Sequence, residues 1–292
     1  MANIIPDFKK DHSDRHKRLS ETQIDGFFKQ AAKWDLSDAL IKGGAVIFPH
    51  STIEVCGAFT AAAVNACLDS GADRVIVLGV LHALTDELNQ ARIRVADGKD
   101  PAEEEFWGIQ GPGLKGRREW ENEFSLLNFH FLWNYAVSIR GIKPPELVIR
   151  YPYLTGGKPE SMPGIKELEA IAKEAVIVAT MDPFHHGIGY GDLPENSFEP
   201  EKGGIEIARR SIEEGLKILS EGDHRYYNQH CVKVKSDGRD VGQVLRYLIG
   251  PCRGNILGLV SDDMSDMYGR IKPTWVAGAL IEIQLDNNEY KR

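Results

Sequence analysis

Short apolar runs alternate with helical segments along this sequence, and the alternation restricts the fold more than any other feature. Residues 45–48 (AVIF) and 74–79 (RVIVLG) are β-favouring runs, and the small-residue segment 57–70 between them has a helical pattern that stops at Gly71. Two buried strands joined by a helix form a βαβ unit, in which the strands are parallel. The pattern predicts an α/β protein with a central, mostly parallel β-sheet flanked by helices.

The same rhythm continues to the end of the chain, without an internal repeat or a Pro- or Ser-rich linker. Further strands are predicted over residues 146–151, 175–180 and 276–284, and further helices over residues 21–33, 163–173, 203–220 and 240–249. We therefore expect one α/β domain over residues 41–292, preceded by a polar, partly helical extension over residues 1–40.

Residues 92–125 interrupt the rhythm with a run rich in Gly, Pro and charged residues. The composition predicts an extended surface loop, of the kind that can cover a binding site. Gly108, Gly111 and Gly113 do not have the spacing of a phosphate-binding loop, and no Rossmann fingerprint is present.

Composition excludes several classes of protein. The 292 residues carry 43 acidic against 35 Lys and Arg side chains, a formal net charge of -8, so nucleic acid is not an expected partner. No apolar run approaches the roughly 20 residues that span a bilayer, and no secretory signal is recognisable, so we expect a cytoplasmic protein without a membrane partner. The four cysteines form no C-x-x-C pair, which argues against a disulfide framework or a zinc knuckle.

Metal-competent side chains follow several of the predicted strands. His50 comes directly after the first strand, His82 shortly after the second, and the 175–180 strand leads into Asp182 and the pair His185-His186. Ligands of open α/β sheets bind beyond the carboxyl ends of the strands, so these side chains should converge. Imidazole, carboxylate and thiolate groups bind iron, copper or zinc. The pattern predicts a metal site that includes His50 and His82.

The blocks around these residues resemble the Memo-like family, a relative of the class III extradiol (LigB-type) dioxygenases. FPHSTIEVCGAFTAAAV, RVIVLGVLHAL, TMDPFHHGIGYGD, GPCRGN and WVAGAL follow one another in the family's order, from about residue 43 to residue 283. The resemblance implies the same metal-binding α/β fold.

The resemblance also implies roles for individual residues. His50 and His82 match the family's metal histidines, and Cys252 matches the cysteine that serves as third ligand in the Memo branch. Asp182 and His185 match its Asp-x-x-His, whose side chains would line the pocket and act on protons or substrate. The third ligand remains open at this point, with Asp182 and His185 as alternatives to Cys252.

The sequence departs from the family in the middle of the chain. The family's His-Ser-x-Glu-x-His aligns with residues 125–130, where Ser125 replaces the leading histidine and Asn128 replaces the glutamate. His130 is retained and is expected to be a further catalytic pocket residue. The pocket should therefore differ from that of enzymes that cleave catechol rings.

These features together favour an oxidoreductase. The expected cofactor is Fe(II), with copper or zinc as alternatives, and the expected reaction is O2-dependent oxidation of a small organic substrate. The main alternative is a copper- or iron-binding scaffold or redox protein without dedicated turnover. A zinc hydrolase is less favoured. The relatives that self-associate make a homodimer a reasonable expectation.

Overall fold

A mixed eight-stranded sheet forms the centre of the molecule. The structure is a computed structural model that describes residues 7–286. Its strands are β1 (Ala45–Phe48), β2 (Arg74–Leu78), β3 (Gly108–Gln110), β4 (Glu146–Tyr153), β5 (Val176–Thr180), β6 (Phe184–Gly187), β7 (Cys252–Asp263) and β8 (Thr274–Leu285). They lie in the order β3-β4-β2-β5-β1-β8-β6, and β7 pairs with the other side of β8.

Ten α-helices accompany the sheet in the described residues. They are α1 (Phe8–Arg18), α2 (Glu21–Ala31), α3 (Ser37–Ile41), α4 (Ile53–Asp69), α5 (Asp86–Ala96), α6 (Leu127–Arg140), α7 (Ile165–Ala172), α8 (Gly204–Glu221), α9 (His224–Lys233) and α10 (Arg239–Ile249). None of these helices combines the length and the apolar character needed to cross a bilayer.

The centre of the sheet is parallel, as the βαβ pattern predicts. β5 lies between β1 and β2 and pairs in parallel with both, and β4 pairs in parallel with β2. β1, β2 and β5 are nearly continuous apolar runs because helices cover both faces of the sheet, whereas β4 also contains Glu146 and Arg150. Their carboxyl ends consequently meet at one edge, and the predicted fold class, a single α/β domain with a central sheet flanked by helices, is confirmed.

The flank beyond β1 is antiparallel, and this part was only partly predicted. β8 pairs with β1 and β6 on one side and with β7 on the other. The sequence of β7 contains Gly254 and Gly258, and its register shifts between Ile256 and Gly258, so it lacks the uninterrupted apolar alternation of a recognisable strand.

The sheet separates two apolar cores. One core lies under α4 and α6, where Ala61, Ala62 and Ala63 are fully buried and allow the helix to approach the strands closely. The other lies under α8 and α10 and includes Ile212 and Val244. The two cores hold the strand ends, and with them the side chains that follow the strands, in fixed positions.

The N-terminal extension and the segment over residues 92–125, both predicted to be peripheral, pack against the sheet and its helices. α1 lies on α6 and on the segment before it: His16 stacks on Phe131 of α6 and Phe8 on Phe124, with centroid separations of 4.3 and 4.9 Å. The segment predicted as a surface loop over residues 92–125 begins within α5, contains the short strand β3, and returns to the sheet edge at Glu123.

Candidate metal centre

Two histidines from separate strand ends face each other at the carboxyl edge of the sheet. His50 follows β1 and His82 follows β2, and their rings are 5.2 Å apart at an interplanar angle of 83°. His50 is 3% exposed, so its imidazole is held within the protein rather than at a mobile surface. The expected convergence of these two side chains is present in the structure.

A carboxylate lies between the two imidazoles. Oδ2 of Asp237 is 3.1 Å from Nε2 of His50 and 3.6 Å from Nε2 of His82. Asp237 belongs to the turn that precedes α10, and its Oδ1 accepts a hydrogen bond of 2.8 Å from the backbone N–H of Asp182. The three ligand atoms of His50, His82 and Asp237 lie within 4.8 Å of one another.

The geometry of these three side chains could accommodate a metal ion. Oδ2 of Asp237 is buried and has no hydrogen-bond partner within residues 7–286, although imidazole nitrogens surround it. Two ligands with bonds of about 2.1 Å to one ion lie about 3.0–3.4 Å apart in octahedral or tetrahedral geometry. The separations of 3.1 and 3.6 Å between Oδ2 of Asp237 and the two imidazole nitrogens are close to these values, and all three atoms lie within 4.8 Å of one another, so the group could hold one ion.

Neighbouring groups fix which nitrogen of each imidazole is free. Thr180 Oγ1 donates its hydrogen to the carbonyl of Phe48, so it accepts a 2.9 Å hydrogen bond from Nδ1–H of His50. Glu123 Oε1 accepts a 2.8 Å hydrogen bond from Nδ1–H of His82. Both rings therefore direct Nε2 towards Asp237, in the arrangement by which outer residues orient the histidine ligands of metals.

The charges of the site increase its affinity for positive charge. Burial by itself lowers the pKa of His82, but the charge of Glu123 and the contact with Asp237 outweigh it and raise that pKa to about 10. Burial likewise opposes protonation of His50, and the charges of Asp182 and Asp237 still raise its pKa. Burial alone would raise the pKa of Asp237, yet the charge of His50 and its contact with the carboxylate lower it. A cation, whether a proton or a metal ion, is thus stabilised here.

Two further groups adjoin the cluster, as the sequence predicted. Asp182 Oδ2 is 3.9 Å from Nε2 of His50, and Nε2 of His185 is 3.8 Å from Asp237 Oδ2. Asp182, His185 and Asp237 form a second group of potential ligands that shares Asp237 with the first. Burial raises the pKa of Asp182 to about 7 and lowers the pKa of His185 to about 4.

Aromatic rings enclose the imidazoles. The ring of Phe124 stacks on His82 with a centroid separation of 4.3 Å and meets His50 edge-on at 6.1 Å. Tyr190 lies edge-on to His185 at 4.9 Å. These rings restrict the access of water, which strengthens the electrostatic interactions within the site.

Cys252 does not lie at this site, so its expected role as third ligand needs correction. Cys252 is the first residue of β7 and pairs with Leu285. The other end of β7 lies near the site, because Asp262, ten residues further along the strand, accepts a 2.7 Å hydrogen bond from the backbone N–H of Thr52, close to His50. Ten strand residues span roughly 33 Å. Burial also raises the pKa of Cys252 to about 11, which disfavours the thiolate that binds metals.

His130 is not part of the cluster either. It lies on α6, where its ring contacts Phe129, and it belongs to neither group of potential ligands. Its neighbours Ser125 and Asn128 make structural hydrogen bonds: Ser125 Oγ donates to the carbonyl of Val80, and Asn128 Nδ2 to that of Ser51.

Asp237 and Glu123 were not predicted as site residues from the sequence. Asp237 precedes Gly238 and an amphipathic helix, a place where an acidic residue normally indicates only a helix cap. Glu123 ends the irregular segment, 41 residues from its partner His82. The one sequence signal for Asp237 was a carboxylate, a metal-competent side chain, just ahead of a predicted helix.

No protein-family model and no curated protein sequence matches this chain. The geometry of the cluster is therefore the main guide to function.

Proposed function

We propose that the protein binds one Fe(II) ion through His50, His82 and Asp237 and uses it to activate O2 for the oxidation of a small organic substrate. Two imidazoles and one carboxylate on one side of an ion are typical of non-haem Fe(II) oxygenases, which keep their other positions for O2 and substrate. The observation that carries the proposal is the buried Oδ2 of Asp237, which has no hydrogen-bond partner among residues 7–286 but lies within 4 Å of three imidazole nitrogens.

The bound ion would supply the redox chemistry that no protein side chain provides. Asp182 and His185 would then handle protons. With a pKa raised by burial to about 7, the Asp182 carboxyl holds a proton part of the time at neutral pH. The neutral imidazole of His185, whose Nδ1 is buried without a partner within residues 7–286, is able to accept one.

Two other functions remain as second candidates on specific observations. Two histidines and an aspartate with an open position also suit zinc, which would make a bound water nucleophilic and support hydrolysis. Ser125 and Asn128 stand where the resembled family has a histidine and a glutamate, and here both side chains make structural hydrogen bonds. The loss of those two groups favours a metal-binding protein without turnover.

Anaerobic titration with Fe(II) tests the proposed ligands directly. The wild-type protein should bind about one equivalent of iron per chain, and His50→Ala, His82→Ala and Asp237→Ala should each weaken binding at least about 100-fold. His230→Ala is the matched control, because His230 is also buried but its Nε2 bonds to the carbonyl of Ser211. Full iron binding by Asp237→Ala would contradict the assignment.

Metal content and O2 uptake separate the three functions. Protein purified from cells without added metal should contain iron under the proposal, and zinc under the hydrolase alternative. The iron-loaded protein should consume O2 with a suitable substrate, while a protein that only binds metal should consume none with any of a broad set of phenols, catechols and organic acids.

A further inference from the structure

Asp237 belongs to two groups of potential metal ligands, and the proposed function uses only one of them as ligands. The first group joins it to His50 and His82, and the second joins it to Asp182 and His185. Within each group the ligand atoms lie within 4.8 Å of one another, but no group among the described residues contains all five side chains. Two ligands of one ion are at most about 4.2 Å apart when their bonds measure about 2.1 Å. As they lie, the five side chains are therefore spread too widely for a single ion.

The second group is buried and comes from three separate elements. Asp182 follows β5, His185 lies in β6, and Asp237 precedes α10. Only 5% of the Asp182 side chain, 13% of the His185 side chain and 7% of the Asp237 side chain is exposed. Nε2 of His185 is 3.8 Å from Oδ2 of Asp237, and the three ligand atoms lie within 4.8 Å of one another. Side chains held on packed elements in this way provide a preformed site.

Two polar atoms of the second group lack hydrogen bonds although they are buried. Oδ2 of Asp237 and Nδ1 of His185 have no hydrogen-bond partner within residues 7–286, and the 3.8 Å between Nε2 of His185 and Asp237 is too long for a hydrogen bond. The next residue differs, because Nε2 of His186 accepts from the N–H of Phe198 at 3.2 Å and its Nδ1 lies 3.1 Å from Asp192. Buried polar groups without partners are costly, so the free atoms of the second group indicate a place for a bound ion.

The buried negative charge exceeds what one divalent ion can balance. The carboxylates of Asp182, Asp237 and Glu123 each lie within 4 Å of a histidine of the cluster, and none of these side chains is more than 7% exposed. An ion bound to the first group balances two of the three charges. A second cation is therefore still attracted to the site.

We propose that Asp182, His185 and Asp237 bind a second divalent ion, so that Asp237 bridges two ions. One imidazole and two carboxylates suit ions such as Fe(II), Zn(II) and Mn(II). In two-metal sites the ions lie about 3.5–4 Å apart, a separation that one carboxylate can bridge. The bridging role rests on the proposed function, which supplies the first ion. With the second ion bound, Asp182 and His185 are ligands and no longer move protons, so the one-ion and two-ion forms differ in their chemistry.

Titration with Zn(II), followed by calorimetry and by native mass spectrometry, tests this proposal without any assay of activity. The wild-type protein should bind two ions per chain. The second ion should bind about 10- to 100-fold more weakly, because Nδ1 of His185 has no partner within residues 7–286 to orient the ring, and a single equivalent of metal then fills the first site. Asp182→Asn and His185→Gln should each lose the second ion and keep the first.

His186→Ala is the matched control, because His186 adjoins His185 in β6 but has its own partners in Phe198 and Asp192. It should still bind two ions. Co(II) reports whether the two ions are neighbours. The electron paramagnetic resonance signal per ion should fall when the second equivalent is added to the wild type, because ions about 4 Å apart couple magnetically. In His185→Gln the signal per ion should not fall.

A wild-type protein that binds only one ion, or a second ion that persists in both Asp182→Asn and His185→Gln, would overturn the proposal. An unchanged Co(II) signal per ion would overturn the bridge. If Asp182→Asn does not fold, His185→Gln decides alone. A single ion that is lost in His82→Ala and kept in His185→Gln would leave the proposed function standing without the second site. The opposite pattern would refute the ligands proposed for Fe(II), and no binding at all would refute both sites.

Discussion

Replacing Glu123 by Gln should weaken metal binding although Glu123 is not a ligand. Its Oε1 accepts from Nδ1–H of His82 and from the N–H groups of Phe124 and Ser125, and its Oε2 accepts from the N–H of His82 at 2.6 Å. All four partners are donors. The amide of a glutamine has only one acceptor oxygen, so its NH2 group must face at least one of these donors in either orientation.

The less costly orientation keeps the oxygen at the Oε1 position and turns NH2 towards the backbone N–H of His82. One buried hydrogen bond is then lost and two donors face each other, at a cost of about 1–3 kcal/mol. The His82 imidazole also loses the negative charge that makes it a stronger ligand. Loss of such an outer partner typically weakens metal binding about 10- to 100-fold. We expect Glu123→Gln to raise the dissociation constant for Fe(II) by this factor.

Competition with a chromophoric chelator under anaerobic conditions measures the dissociation constant. Glu121→Gln is the matched control, because Glu121 lies in the same segment but pairs with the exposed Arg118, and it should bind iron like the wild type. A dissociation constant for Glu123→Gln within twofold of the wild type, in a variant that is folded by circular dichroism, would refute the reasoning that Glu123 orients and polarises His82.

Three further substitutions test other parts of the structure. Thr180→Val leaves Nδ1–H of His50 without an acceptor, so urea titration of the metal-free protein should show a loss of about 1–3 kcal/mol in the free energy of unfolding. Cys252→Ser should bind iron with unchanged stoichiometry, and loss of the ion would restore the cysteine as a ligand. Burial lowers the pKa of His12 from 6.5 to about 4 in the folded protein, so the unfolded chain takes up the proton first as pH falls. The contribution of His12 to the free energy of unfolding should therefore fall by about 3 kcal/mol as the pH is lowered from 6.5 to 4. Urea titrations at a series of pH values measure this fall, and it should be smaller in His12→Gln.

His50 and His82 could be predicted as partners because the rule that brings them together is local. Each follows a buried parallel strand, and the carboxyl ends of neighbouring parallel strands share one edge of the sheet. Although β5 lies between β1 and β2, both side chains reach over its end, where Thr180 supports His50. Recognising two strands was enough to place two side chains of the candidate site together.

Asp237 could not be placed by the same rule. It lies in an irregular turn, and its position is fixed by contacts that are distant in sequence, including the hydrogen bond from the N–H of Asp182, 55 residues away. Cys252 was expected to be the third ligand because the resemblance to the Memo-like family implies it. Only the pairing of β7 with β8 shows that this residue lies at the opposite end of the sheet.

The hydrogen bonds around residues 125–130 bear on which side chains could move protons in the proposed enzyme. Ser125 Oγ donates to the carbonyl of Val80, and a serine hydroxyl that no base activates is a poor acid or base near neutral pH. Asn128 accepts from the His16 ring at 2.8 Å and donates to Ser51, so it joins α1 to the strand end that carries His50. With these positions committed to structure, any proton transfer at the proposed metal centre would fall to Asp182 and His185, which adjoin the cluster.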